Sequence, residues 1–192
     1  MFKEINEYIN HCVRLSEDEL DVFNRYLKPK HVPKKTFLLM EGEICNFEAF
    51  IIKGCIKTYF IDDNGFETIL TFATENWWVS DVSSFSDQKP SKMFIETLED
   101  CDLLLIDANV KEELLQKVPL LERAFRLMLQ RHLAVYQERL FGYVALSAQE
   151  RYEIFLEKYP HIPQRVPQHL IASYLGISPE FLSRIRKRSL KK

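Results

Sequence analysis

The residues best placed to do chemistry with a partner lie in the stretch IASYLGISPEFLSRIRKR, residues 171–188. Ser178 is a good helix cap and Pro179 fits a first helical position, so a helix starts there. Leu182 and Ile185 bury one side of it. Glu180, Phe181, Ser183, Arg184 and Lys187 then share the outward face. Those types suit the edges of base pairs: Arg184 can make paired bonds to guanine N7 and O6, Glu180 can accept from a cytosine amino group, and Phe181 can touch a thymine methyl. Ser178, Arg186, Arg188, Lys191 and Lys192 are expected on phosphates, where they add affinity and register but read no sequence.

Stepping outward from that helix, Pro167 opens an earlier one whose Ile171, Ala172 and Leu175 are apolar or small. Gly176 ends it with a residue able to turn left-handed, and Ile177 plugs the junction. Two short helices joined through a glycine turn, with alanine where they cross, satisfy a helix-turn-helix. The bland alternative is a helical hairpin with a solvated basic end. Charge is divided in keeping with the first reading: residues 161–192 hold seven Lys or Arg against one acid, and the rest of the chain holds 19 basic and 27 acidic residues. A basic end on an acidic body suits a polyanion.

The remainder of the 192-residue chain must position that unit. Its 46% hydrophobic content is enough for a packed core. The first thirty residues read as helix, with Ser16 and Glu19 forming a capping box. From Thr36 to about Ile106 the runs AFIIKGCIKTYFI, ETILTF and DLLLI read as strands separated by turns. Asn64-Gly65 signals a tight hairpin with positive φ at both central residues, and the whole suggests a small barrel or roll. Residues 81–92, DVSSFSDQKPSK, read as a polar surface loop. From Pro119 the spacing of Phe125, Leu129, Leu133, Tyr136 and Leu140 marks a long helix. Leu121, Leu127, Met128 and Val135 add a second apolar side, so the helix needs two partners, one of them most simply a second copy. Gly142 interrupts its end, and Ser147 with Glu150 starts a new helix. The expected organisation is an α+β chain: roll with N-terminal helices over 1–118, dimerisation helix and hinge over 119–146, helix-turn-helix domain over 147–192.

Other chemistry has little support. Cys12, Cys45, Cys55 and Cys101 are scattered, with no C-x-x-C pair, so no metal or iron–sulfur site is expected. No nucleophile elbow, phosphate loop or paired carboxylates at a defined spacing point to an enzyme. There is no signal-peptide core and no membrane-length apolar run, so a cytoplasmic protein without membrane contact is expected. Beside a DNA-binding regulator stands a second reading, a small-molecule or protein-binding module whose C-terminal domain serves assembly.

The order of parts resembles the Crp/Fnr family of bacterial transcription regulators over nearly the whole chain. LLMEGE (38–43), FIIKGCIKTY (50–59) and DDNGFETIL (62–70) look like the family's glycine-punctuated strands, and LGISPEFLSRIRK looks like its recognition helix. The resemblance implies a cyclic-nucleotide-binding-like roll, a homodimer joined by the long helix, and a palindromic double-stranded operator. RNA polymerase and a small-molecule effector are further partners implied. Two departures stand out. Family members that bind cyclic AMP carry Gly-Glu and Arg-Ser/Thr-Ala in a phosphate cassette; here Ser80-Asp81 and Ser91-Lys92-Met93 hold those places. The arginine fork for the phosphate is lost, so cyclic AMP is not the expected effector. Asp81, Lys92 and Tyr136 are the polar residues expected at an effector pocket between roll and helix. The family's oxygen sensors use an N-terminal cysteine cluster, which Cys12 alone does not make, and His132 is expected as an interface or core residue rather than a haem ligand. The sequence ends four residues after Arg188, so the β-hairpin wing that follows the recognition helix in relatives is expected to be missing.

Overall fold

The computed structural model describes residues 2–189, the last of them in its backbone only. Two N-terminal helices, α1 (Lys3–Cys12) and α2 (Glu17–Tyr26), precede eight strands: β1 (Lys28–Val32), β2 (Phe37–Leu39), β3 (Phe47–Lys53), β4 (Ile56–Ile61), β5 (Glu67–Ala73), β6 (Trp78–Val79), β7 (Phe94–Thr97) and β8 (Cys101–Asp107). A short helix, α3 (Val82–Asp87), lies between β6 and β7. Helices α4 (Ala108–Lys117) and α5 (Leu120–Ala145) follow, then α6 (Ala148–Lys158), α7 (Ile162–Arg165), α8 (Gln168–Leu175) and α9 (Pro179–Ser189).

The strands form two antiparallel four-stranded sheets, ordered β1-β8-β3-β6 and β2-β7-β4-β5. Period-two alternation sends the residues of β8 to two different cores. Cys101, Leu103 and Leu105 point between the sheets with Val32, Ala49, Ile51, Ile56 and Ile95. Leu104 and Ile106 point outward and meet Ile5, Ile9, Phe23, Leu121 and Phe125 from the helices. With both faces covered, Leu103, Leu104, Leu105 and Ile106 of β8 form an unbroken apolar run.

Several expectations need correction. Helix does not fill the first thirty residues, because the chain leaves α2 at Leu27 and Lys28–Val32 pairs with β8 across five registers. The hairpin between β4 and β5 forms, but only Gly65 of its turn has positive φ, at 82°. Asp62 organises the loop instead: its Oδ1 accepts from the N–H groups of Asn64 and Phe66, both at 2.9 Å, and its carbonyl accepts from Gly65. The long helix continues through Gly142 and ends at Ala145, and Ser147 and Glu150 close the capping box of α6. Residues 81–92 are not a surface loop. They contain α3, and Asp81, Ser84 and Ser91 are buried.

Helix α5 has two dissimilar sides. Leu121, Ala124, Phe125 and Met128 pack inside this chain, with Phe125 edge-on to Trp78 at 5.7 Å. Phe125 therefore belongs to the roll side and not to the outer stripe expected for dimerisation, because the first three turns of α5 lie over α1 and the outer face of β3 and β8. Leu129, Leu133, Tyr136 and Leu140 are each at least half exposed, and Phe141 and Val144 extend that face.

Candidate DNA interface and effector cavity

Helices α8 and α9 meet as the residue pattern requires. Gly176 takes the left-handed conformation at φ 67°, its N–H returning to the Ser173 carbonyl and that of Ile177 to Ala172. Ile171, Ala172, Leu175, Leu182 and Ile185 are all buried in one cluster, and the Ser178 hydroxyl accepts from the Phe181 N–H at 3.2 Å. The opposite face is open. Glu180, Phe181, Ser183, Arg184 and Lys187 are exposed, as are Ser178, Arg186 and Arg188. The Arg184 guanidinium lies 5.2 Å from the Phe181 ring centroid, and among the described residues no ion pair is formed by it. Lys191 and Lys192 lie outside the described residues.

The rear of this unit is docked on the roll. Phe72 and Tyr174 pack with ring centroids 5.5 Å apart, beside Ile69, Phe155 and Ile171. Strand β5 is the open edge of its sheet, and Ser173 pairs with it: Ser173 Oγ accepts from the Ile69 N–H at 3.0 Å and donates to the Glu67 carbonyl at 2.6 Å. Arg139 of α5 ties three elements together, donating to the carbonyls of Ile69 (2.8 Å) and Leu70 in β5 and of Tyr174 (2.9 Å) in α8. Arg165, the last residue of α7, grips two roll carboxylates at once, with Glu75 at 2.8 Å and Glu99 at 2.7–2.9 Å. Burial alone would raise the Glu75 pKa, but the Arg165 fork and the Gly54 N–H override it and hold the carboxyl down at about 2.

Between roll and α5 lies a cavity of about 440 Å³. Its walls are largely apolar: Leu70, Trp77, Val79, Met93, Leu129 and Leu133. Asp81 and Lys111 at its edge are engaged within the chain, whereas the buried His132 Nε2 has no hydrogen-bond partner among the described residues. Asp81 caps α3 through Ser83 and Ser84 and accepts from the Ser91 hydroxyl at 2.7 Å, while Lys111 pairs with Glu48 at 2.6 Å. Tyr136 and Asp81 line the cavity; Lys92 is exposed and does not. His132 stacks on Trp77 at 4.4 Å in the cavity wall, and burial lowers its pKa. The sequence reading missed Arg139, Arg165 and the Lys111–Glu48 pair. Nothing local marked any of the three. Among the described residues no group of three or more His, Cys, Asp or Glu side chains is spaced to hold a metal, and no helix is long and apolar enough to cross a membrane.

Residues 29–118 match the family model of the cyclic nucleotide-binding domain. The chain is 26% identical over 189 residues to the anaerobic regulatory protein of Pasteurella multocida, covering 92% of this chain and 68% of that protein. It is 27% identical to the fumarate and nitrate reduction regulatory protein of Vibrio cholerae, covering 92% and 75%. Among solved structures, the c-di-GMP responsive global regulator CLP of Xanthomonas campestris has the same fold, with a TM-score of 0.75 at 17% identity over 92% of both chains. The catabolite activator protein of Thermus thermophilus superposes with a TM-score of 0.61 at 19% identity, over 96% of this chain and 87% of that one. Residues 29–118 thus belong to the cyclic nucleotide-binding domain family, the roll, the long helix and the C-terminal helices share their fold with bacterial regulators over nearly the whole chain, and the relatives and neighbours together support a regulator of Crp/Fnr type.

Proposed function

We propose that this regulator is a homodimer that binds a two-fold symmetric DNA site in a sequence-specific manner, with α9 in the major groove. One observation carries the reading: α8 and α9 cross over a buried core while Glu180, Phe181, Ser183, Arg184 and Lys187 project together from the free face. In such units the recognition helix contacts base edges and the preceding helix crosses the backbone. Ser178, Arg186 and Arg188 then fall to phosphates, together with Lys191 and Lys192. The exposed face of α5, from Leu129 through Leu133 and Tyr136 to Leu140, is the surface for the second copy. Two helices so joined would set half-sites about 34 Å apart, one helical turn of DNA.

The cavity beside α5 is the proposed effector site, and a cyclic nucleotide is not its ligand. Asp81 and Ser91 occupy the two places expected to hold ribose and phosphate, and they bond to each other instead. A bound phosphate would meet the Asp81 carboxylate, and the cations that line the cavity are already engaged, Arg139 by backbone carbonyls and Lys111 by Glu48. The apolar walls favour an uncharged ligand.

Binding to duplexes drawn from a random pool tests the reading. Arg184→Ala should flatten base preference at one position in each half-site, and Arg186→Ala should weaken selected and scrambled duplexes equally. Equal losses on all sequences for Arg184→Ala would sink the assignment of that arginine.

A further inference from the structure

Strand β5 breaks its alternation where it passes the cavity beside α5. Thr58 of β4 pairs with Thr71 and Tyr59 with Ile69, so Leu70 is an extra residue, a β-bulge. Ile69 and Phe72 on either side face the α8 cluster, whereas Leu70 and Thr71 in succession both line the cavity. An unbulged strand would send one of the two outward. Arg139 holds the bulge in place, its guanidinium donating to the carbonyls of Ile69 at 2.8 Å and of Leu70.

The bulge sets Thr71 beside Thr58, which is 5% exposed and lines the same cavity. Neither threonine hydroxyl makes a hydrogen bond among the described residues. Neither is one of the enclosed polar atoms without a partner, a group to which His132 Nε2 belongs. Both hydroxyls therefore open on the cavity. Each carries a donor and acceptors that water or a ligand must meet, because leaving them unmet is costly. The charges of the lining residues cancel, Glu48 and Asp81 against Lys111 and Arg139. The cavity thus combines apolar walls with a neutral polar floor and no net charge.

We propose that Thr58 and Thr71 select the ligand of this cavity, an uncharged molecule with an apolar body and one hydroxyl or carbonyl head bonded to the pair. The inference rests on the reading of the cavity as an effector site and adds the chemical class of the ligand and the residues that choose it. A carboxylate or ammonium head would lose its water here and find no charge left over to offset it.

Trp77 and Trp78 are the two tryptophans of the chain and both line the cavity, so tryptophan emission of the full chain reports on it. The test titrates 1-octanol, octanoate and octylammonium, which share a chain length and differ in the head, with cyclic AMP as a further probe. 1-Octanol should shift the emission saturably, and the two ions should bind about ten-fold or more weakly. Thr58→Val with Thr71→Val keeps the β-branched shape and removes both hydroxyls. It should weaken 1-octanol about two- to ten-fold, the worth of one or two hydrogen bonds. Thr58→Ser with Thr71→Ser keeps the hydroxyls and should bind as wild type does. The head-group series on wild type stands whether or not the valine variant folds. An emission that no probe shifts, an ion or cyclic AMP that binds as tightly as 1-octanol, or valine and serine variants of equal affinity overturns the inference. Repeating the titration with a selected duplex separates it from the effector reading. If 1-octanol binds through the threonines and leaves duplex affinity unchanged, the effector role falls and the ligand class stands.

Discussion

Arg165 and Arg184 sit in the same basic C-terminal domain, yet the structure uses them in opposite ways. Arg165 faces the roll, two-thirds or more buried, and four of its five N–H donors are taken by Glu75 and Glu99. Arg184 faces outward, with its guanidinium 5.2 Å from the Phe181 ring centroid and no ion pair among the described residues. The domain therefore has a rear fastened to the acidic body and a front left open. Net positive charge along a segment does not say which cations are free to meet a partner; burial and pairing decide that.

The difference can be broken from either side. The largest effect is expected at the rear, where Ile171 is fully buried in the cluster shared by α8, α9 and the roll. Ile171→Ala should cost about 2–5 kcal/mol in denaturant unfolding, from lost burial and the cavity left behind. At the front, Arg184→Ala should leave unfolding unchanged and reduce discrimination between selected and scrambled duplexes by about ten- to a hundred-fold. The hinge between the two faces is next. A methyl group on Gly176 would fall 2.9 Å from a Tyr143 ring carbon, at a φ that alanine dislikes, so Gly176→Ala should cost about 1–2 kcal/mol in thermal or denaturant unfolding.

The smallest effect is at the ion pair. Arg165→Ala should cost about 1 kcal/mol after solvent screening of the partly exposed Glu75. The pH dependence sharpens it. Folding lowers the Glu75 pKa from 4.5 to about 2, so its contribution is present in full above pH 4.5 and lost as pH falls through about 2. The stability gap between wild type and Arg165→Ala should shrink across that window in urea unfolding, and a gap constant from pH 6 to pH 2 would exclude Glu75 as the origin.

What could be read from the residues alone follows the same division. The α8–α9 unit was legible because its determinants are local: a glycine at the turn, a cap and proline at the helix start, and apolar positions at fixed spacing. The capping boxes at Ser16 and Ser147 were legible for the same reason. Residues 81–92 were not. Asp81 and Ser91 are polar letters ten positions apart, and their bond to each other is what lets both be buried. Phe125 fits the outer stripe by periodicity, but the roll claims it through Trp78, a contact 47 residues distant in the chain. Arg165, 90 residues from Glu75, has the same character. Pairings of that kind are set by the docking of one element on another, and no window of sequence contains both partners.

Parallel selection of duplexes from a random pool by the wild-type protein and by Arg184→Ala tests the central claim most directly. A two-fold symmetric consensus for wild type, with preference lost at one position of each half-site in the variant, is the result expected of α9 in the major groove. Contradiction would come from a wild-type pool that enriches no sequence and a weak binding that does not change with salt.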